Sequence, residues 1–249
     1  MATGPCYTPL LNARLLALAL AVAGGAHAAV VLRSPEEALK AVADKLHSTV
    51  IDVSGRVSVP ADGGTAMPEK VTHGTGTFLG RGLAVTTLHA VALPSPAGKL
   101  IPLQDVQVVV AGGEPMPAQV IAGAPDLDLA ILALSAEAAA LEAPPLLTDT
   151  PAEGEPLVAM GVDDDGVVVV GVSLAAVNGD VLTVGGKRML DSRFWGGPLY
   201  DGRGRLVAIG LMSLGPPKAI SARVIQRMLD QRAGMGLMIG AVPAEQNAP

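Results

Sequence analysis

Three segments of the sequence carry side chains that could act together in acid–base chemistry. His89 follows the apolar and β-branched run 83–87, so its ring is expected at the end of a strand. Asp128 directly precedes a second apolar run, Leu129–Leu134. Further along, the turn 196–198 (Gly-Gly-Pro) leads into another short strand. An imidazole changes protonation near neutral pH, so His89 could serve as a general base, although a lone histidine is more often structural.

This pattern resembles the trypsin-like serine peptidases, most closely their bacterial HtrA-type branch. There a strand ending in T-x-x-H supplies the general base, a D-L-A-x-L strand supplies the acid, and the turn G-N-S-G-G-P-L supplies the nucleophile, in this order along the chain. The resemblance extends over roughly residues 40 to 232, and it implies that His89 and Asp128 occupy the histidine and aspartate positions of a catalytic triad. Asp128 is preferred to Asp126 because it immediately precedes the Leu-Ala pair of the family pattern.

The same resemblance implies an all-β, trypsin-like double barrel: two six-stranded Greek-key β-barrels with short N- and C-terminal helices. The residues agree, because many short β-branched segments are separated by Gly and Pro, while helical patterns occur at Ser34–His47 and Ala222–Gln231. We expect an N-terminal helix in residues 29–47, the first barrel in 48–143, the second barrel with its closing helix in 144–233, and a flexible tail in 234–249. This division leaves no length for a C-terminal PDZ domain of the HtrA kind.

The position of the nucleophilic serine is occupied by Trp195 when the sequence is aligned on Gly196 and Gly197. An indole has no nucleophilic oxygen, so acyl-enzyme formation has no attacking group. The two preceding positions, Gly and then Asn or Asp in the family, hold Arg193 and Phe194. The backbone N–H of that glycine normally helps to form the oxyanion hole, and a side chain there restricts the backbone. We therefore expect an inactive pseudoprotease whose oxyanion loop, residues 193–197, lines a cleft for a peptide or protein ligand.

Two alternatives remain open. Ser192 lies three residues before Trp195 and could act as a displaced nucleophile with His89 and Asp128 if the loop bulged, which would give an active serine endopeptidase. The other alternative is a structural exported module with a vestigial cleft. Trp195 itself fits either a ring that fills a dead pocket or a ligand contact, because Trp and Arg are common anchors of binding sites.

The bulk composition excludes several classes of protein. Half of the 249 residues are hydrophobic and 16% are charged, so the chain can bury a sizeable core and does not resemble a disordered scaffold. Its net charge of −6 and lack of a basic stripe argue against nucleic acid as a partner. Histidine and cysteine do not cluster at ligand spacing, so we expect no metal site. We also expect no cofactor.

The N-terminus has the pattern of an export signal. Arg14 precedes the apolar run 15–23, and Ala26-His27-Ala28 forms a small-x-small site, which predicts a signal peptide in residues 1–28. The apolar run is too short to span a bilayer, so no stable membrane span is expected after cleavage. Cys6, the single cysteine, would be removed with the signal. Export without disulfides suits the bacterial periplasm or secretion. The sequence does not indicate an oligomeric state.

Overall fold

Antiparallel strands make up most of the fold. The structure, a computed structural model, describes residues 35–57, 70–94, 100–110, 112–135, 138, 142–186 and 190–234. The predicted signal peptide lies outside these residues, and so does the predicted tail apart from Gly234.

Six strands of the N-terminal half close into a barrel. In chain order the strands of this half are β1 (Val50–Val57), β2 (Lys70–Gly80), β3 (Leu83–Thr87), β4 (Ala92–Pro94), β5 (Leu100–Pro102), β6 (Gln104–Val110), β7 (Met116–Ala124) and β8 (Leu129–Leu134). β4 and β5 pair with each other, and the other six close in the order β1-β2-β3-β8-β7-β6. Successive side chains of a strand point to opposite faces, and Ile51 and Val53 of β1 are buried in the barrel cluster that surrounds Phe78.

Six strands of the C-terminal half close into a second barrel. They are β9 (Pro156–Asp163), β10 (Gly166–Asn178), β11 (Val181–Gly185), β12 (Pro198–Asp201), β13 (Leu206–Leu211) and β14 (Lys218–Ser221). They close in the order β10-β11-β14-β13-β12-β9. Two closed six-stranded barrels confirm the predicted fold class.

Three short α-helices complete the described part of the chain: α1 (Pro35–Leu46), α2 (Leu88–Val91) and α3 (Ala222–Gly234). In α1, Glu36 and Glu37 occupy the first turn, where a negative charge stabilises the positive end of the helix dipole. The terminal helices α1 and α3 confirm the two helices predicted from the sequence, within a few residues at each end.

A hydrophobic cluster joins the two barrels. It contains Val85 and Leu129 from the first barrel, Met160 and Ile209 from the second, and Val42 from α1. Because protein interiors are close-packed, this buried cluster fixes the position of the facing edges of the two barrels relative to each other. Residues on either side of the boundary can therefore form one site.

Candidate active site

His89 lies at the edge of the first barrel. Strand β3 is almost completely buried and pairs with β8 along its whole length. Thr87 has an extended backbone, and the short helix α2 begins directly after it. Ala90 and Val91 are buried, so α2 is anchored while the His89 side chain remains about one third exposed. The local sequence thus turns the ring out of the barrel.

Asp128 is the partner of His89. Its Oδ2 lies 2.7 Å from Nδ1 of the ring, and its Oδ1 accepts the backbone N–H of His89 at 3.1 Å. Asp128 follows the 3₁₀ turn Pro125–Leu127 and has a left-handed backbone with φ of 52°, a conformation that Asp tolerates better than most residues. A hydrogen bond at Nδ1 leaves Nε2 as the ring nitrogen free for other chemistry. Asp126 is exposed in the turn and is not the partner.

The Trp195 ring lies against His89. The two ring centroids are 5.5 Å apart and the ring planes meet at 79°, an edge-to-face arrangement within the range that aromatic pairs favour. The indole therefore occupies the space beside His89. An imidazole that faces an indole has no hydroxyl from which to remove a proton.

Backbone donors of the oxyanion loop are used within the protein. In residues 193–197 each N–H has an internal acceptor: Arg193 donates to Asp191 Oδ1, Phe194 to Asp191 O, Trp195 to Ser192 O, Gly196 to Gly210 O, and Gly197 to Phe194 O, at 2.8–3.2 Å. An oxyanion hole requires donors aimed at the developing charge of a substrate. In this conformation the loop offers none of these five N–H groups to a ligand.

Asp191 and Arg193 stabilise the turned conformation of the loop. Asp191 caps the 3₁₀ turn Ser192–Phe194, and its carboxylate also accepts Nε and Nη2 of Arg193 at 2.9 and 2.7 Å. The side-chain hydrogen bond from Arg193 lowers the pKa of Asp191. Nη1 of Arg193 reaches Asp163 at the end of β9, 3.2 Å away. Both Arg193 and Asp191 are exposed, so the direct electrostatic contribution of this pair is small.

Phe194 does not contact the cleft, which corrects the prediction from the sequence. Its side chain is 1% exposed and packs in the core of the second barrel with Leu157, Leu174 and Leu199. Neighbouring residues of a tight 3₁₀ turn point in different directions, so Phe194 enters the barrel while Trp195 remains outside. Of these two aromatic rings, Trp195 can meet a ligand.

Gly196 and Gly197 are required by close packing. Gly196 has φ of 85°, and a Cβ there would collide with the carbonyl oxygen of Thr75. A Cβ on Gly197 would collide with the carbonyl oxygen of Met160. The two glycines therefore bring the loop into contact with both barrels, and their role here is to allow close approach of the backbone.

Ser192 lies in a neighbouring cleft of about 450 Å³ between the barrels. This cleft is also lined by Asp52, His73, Asp163 and Arg193. Among the described residues no hydrogen bond joins Ser192 to His89, and the Ser192 side chain is exposed. The structure therefore pairs His89 with Asp128 and Trp195 and does not bring Ser192 to the imidazole.

Thr75 and Thr77 of β2 are site residues that the sequence did not reveal. The Thr75 hydroxyl donates to the carbonyl oxygen of Arg193 at 2.6 Å, and the Thr77 hydroxyl donates to that of Gly196 at 3.1 Å. Both threonines are buried. Their spacing of two on a strand places them on one face, which is the local signal that could have drawn attention to them.

Two further findings concern metal ligands and helix length in the described part of the chain. Among these residues, no group of three or more His, Cys, Asp or Glu side chains is arranged to hold a metal ion. None of the described helices has both the length and the apolar character needed to cross a bilayer.

Two packed antiparallel barrels, with a histidine–aspartate pair facing a glycine turn across their boundary, define the chymotrypsin-fold class. A sequence model described as "Trypsin-like peptidase domain" matches residues 74–209, more than half of the chain. This chain belongs to the trypsin-like peptidase family, as its motifs predicted.

Comparison with solved structures supports the same fold. The serine endoprotease from Yersinia pestis superposes with a TM-score of 0.62, covering 80% of this chain and 67% of that one, at 19% sequence identity. At this level of identity the likeness concerns the fold alone. No curated protein matches the chain in sequence.

Proposed function

We propose that this protein is an inactive member of the trypsin-like family that binds an extended peptide or protein segment in its inter-barrel cleft. One observation carries the proposal: Trp195 stands at the nucleophile position with its ring against His89. The internal hydrogen bonds of Arg193 N–H and Trp195 N–H add to it, because a substrate carbonyl would find no donors there. Hydrolysis thus lacks both an attacking oxygen and a stabilised oxyanion.

Exposed apolar side chains beside the loop favour a peptide ligand. Gly210 of β13 is hydrogen-bonded to Gly196 and Gly197, and two residues further the chain leaves the sheet with Met212 half exposed and Leu214 fully exposed. These side chains and the partly exposed Trp195 are apolar groups that a segment with apolar residues could cover.

The edge of β13 offers backbone groups to the same ligand. Leu211 pairs with Lys218 of β14 on one side, whereas the pairing of β13 with β12 ends at Ile209. Within the described residues, the backbone from Leu211 onward has no strand on that second side. An extended segment can add to such an edge, with main-chain hydrogen bonds for affinity and side-chain contacts for specificity.

Export is part of the proposal. The small-x-small site before residue 29 supports cleavage after Ala28, a few residues before α1 begins at Pro35. Intact mass of the protein recovered from the bacterial periplasm or the medium tests this, with a mature N-terminus at Ala29 expected. A recovered chain that retains Arg14 and the apolar run would contradict export by this signal.

Active-site labelling tests the absence of catalysis. Purified protein is treated with a fluorophosphonate probe beside an active serine peptidase, and intact mass is measured. No mass increase is expected, because Trp195 cannot form the phosphonate ester. Stoichiometric labelling that disappears in Ser192→Ala would show an active endopeptidase with a displaced nucleophile and would overturn the proposal.

Fluorescence of Trp195 tests the binding function. It is the only tryptophan, so its emission reports on the cleft alone. Titration with peptide pools rich in apolar residues should shift the emission, and Leu214→Ser should weaken the response. Val71→Ser provides the matched control, because Val71 is also exposed but lies on β2. A flat response in the parent protein would indicate a structural module with a vestigial cleft.

A further inference from the structure

We infer that Thr75 is a positioning residue that sets the Trp195 ring against His89. The inference rests on the proposed function, since it concerns the same pair of rings, but its test needs no ligand. Thr75 lies on β2, opposite the oxyanion loop, and is 1% exposed.

Thr75 holds the loop through both its side chain and its backbone. Its hydroxyl donates to the carbonyl oxygen of Arg193 at 2.6 Å, and its backbone N–H donates to the carbonyl oxygen of Trp195 at 3.3 Å. The same hydroxyl accepts the backbone N–H of Val162 on β9 at 3.0 Å. One side chain of the first barrel therefore satisfies two backbone groups of the second barrel.

A second threonine hydroxyl, that of Thr86, connects Thr75 to β3, the strand that precedes His89. The hydroxyl of Thr86 on β3 donates to the carbonyl oxygen of Thr75 at 2.8 Å, and Thr86 lies three residues before His89. A Cβ on Gly196 would come 3.0 Å from this hydroxyl, so the loop backbone packs directly on Thr86. Thr86 and Thr75 thus join the segments that carry the two rings.

Thr75→Val separates positioning from general packing. Valine keeps the branched shape but removes the donor to Arg193 O and the acceptor of Val162 N–H, whereas Thr75→Ser keeps both. Thr49→Val is the matched control, because Thr49 is equally buried and its hydroxyl bonds to Leu46 O and the Tyr200 hydroxyl, away from the loop. A loss of stability alone should appear in both valine variants.

The readout is the pH dependence of Trp195 fluorescence in the ligand-free protein. Imidazoles gain a charge on acidification, and a charged imidazole in contact with an indole quenches the emission of the indole, so the parent protein should lose intensity. Asp128 faces His89, and Asp191 and Arg193 precede Trp195 on the same loop. The adjacent cleft is lined by His73, Asp52, Asp163 and Asp164. His89→Gln should abolish the step and so separates His89 from these other groups.

The expected pattern is a quenching step in the parent, Thr75→Ser and Thr49→Val proteins, and loss of most of its amplitude in folded Thr75→Val. Thr86→Val removes only the hydrogen bond to Thr75 O and should reduce the amplitude of the quenching step. This variant replaces Thr75→Val in the test if Thr75→Val does not fold. If the quenching step is undiminished in Thr75→Val and Thr86→Val, Thr75 does not position the Trp195 ring and the inference is wrong. If the parent protein shows no quenching step, the contact between His89 and Trp195 is refuted. Either result can occur whether or not peptides bind, so failure of this inference can be distinguished from failure of the proposed function.

Discussion

Restoring the missing serine should not restore hydrolysis. In Trp195→Ser the new hydroxyl would stand near His89, which retains Asp128 at 2.7 Å. The nucleophile, base and acid positions would then all be filled. The oxyanion loop would remain in its turned conformation, because its hydrogen bonds involve backbone groups and Asp191 and not the indole.

The size of the remaining defect follows from the two N–H groups at positions 193 and 195. Arg193 N–H is bonded to Asp191 Oδ1 at 3.1 Å, and Trp195 N–H to Ser192 O at 3.2 Å. Removing one oxyanion donor costs about 10²–10³ in kcat, that is about 2.7–4 kcal/mol. If the two losses multiply, Trp195→Ser should remain roughly 10⁴–10⁶ slower than a family member with an open oxyanion hole.

Hydrolysis of a quenched fluorogenic peptide pool measures this defect. We expect no turnover above background in Trp195→Ser, and a gain in Trp195→Ser/Arg193→Gly, because glycine frees the backbone at the donor position. His89→Ala in the same background is the control for a contaminating peptidase. Turnover by Trp195→Ser that depends on His89 would refute the reasoning, since it would show that the loop opens without further change.

Two further variants test the packing and the electrostatics around the loop. Phe194→Ala should lower the free energy of unfolding by about 3–5 kcal/mol in denaturant titration, because it empties part of the second-barrel core; a loss below about 1 kcal/mol would contradict that burial. Burial raises the pKa of Asp52, so its stabilising contribution is complete below the ordinary carboxyl pKa and is lost as pH rises through the raised value. Asp52→Asn should therefore raise Tm at neutral pH and leave it unchanged in acid. The control Asp126→Asn, at an exposed position, should leave Tm unchanged at both pH values. A lower Tm of Asp52→Asn at neutral pH would contradict this.

The sequence predicted those parts of the site that depend on strand ends. His89 and Asp128 each stand at the edge of a short, strongly apolar strand, β3 and β8, and these strands are neighbours in the barrel. A local pattern of this kind places a residue at a sheet edge, and the family order of motifs then brings the edges together. The partnership of His89 with Asp128 was predicted for this reason.

The hydrogen bonds that hold the loop could not be predicted in the same way. Thr75 and Arg193 are 118 residues apart, and their contact depends on the docking of one barrel on the other. No periodicity near Thr75 indicates a hydroxyl–carbonyl bond across that boundary. The burial of Phe194 has a similar origin, because the direction of its side chain is set by the 3₁₀ turn and by the space inside the second barrel.

The histidine–aspartate pair has a structural role that does not depend on catalysis. Asp128 Oδ1 accepts the backbone N–H of His89, and Asp128 O accepts that of Leu88 at 3.0 Å. These two N–H groups open α2 and would otherwise have no partner within the helix. Asp128 therefore stabilises α2 whether or not a proton is ever transferred. The pair by itself therefore does not indicate hydrolysis.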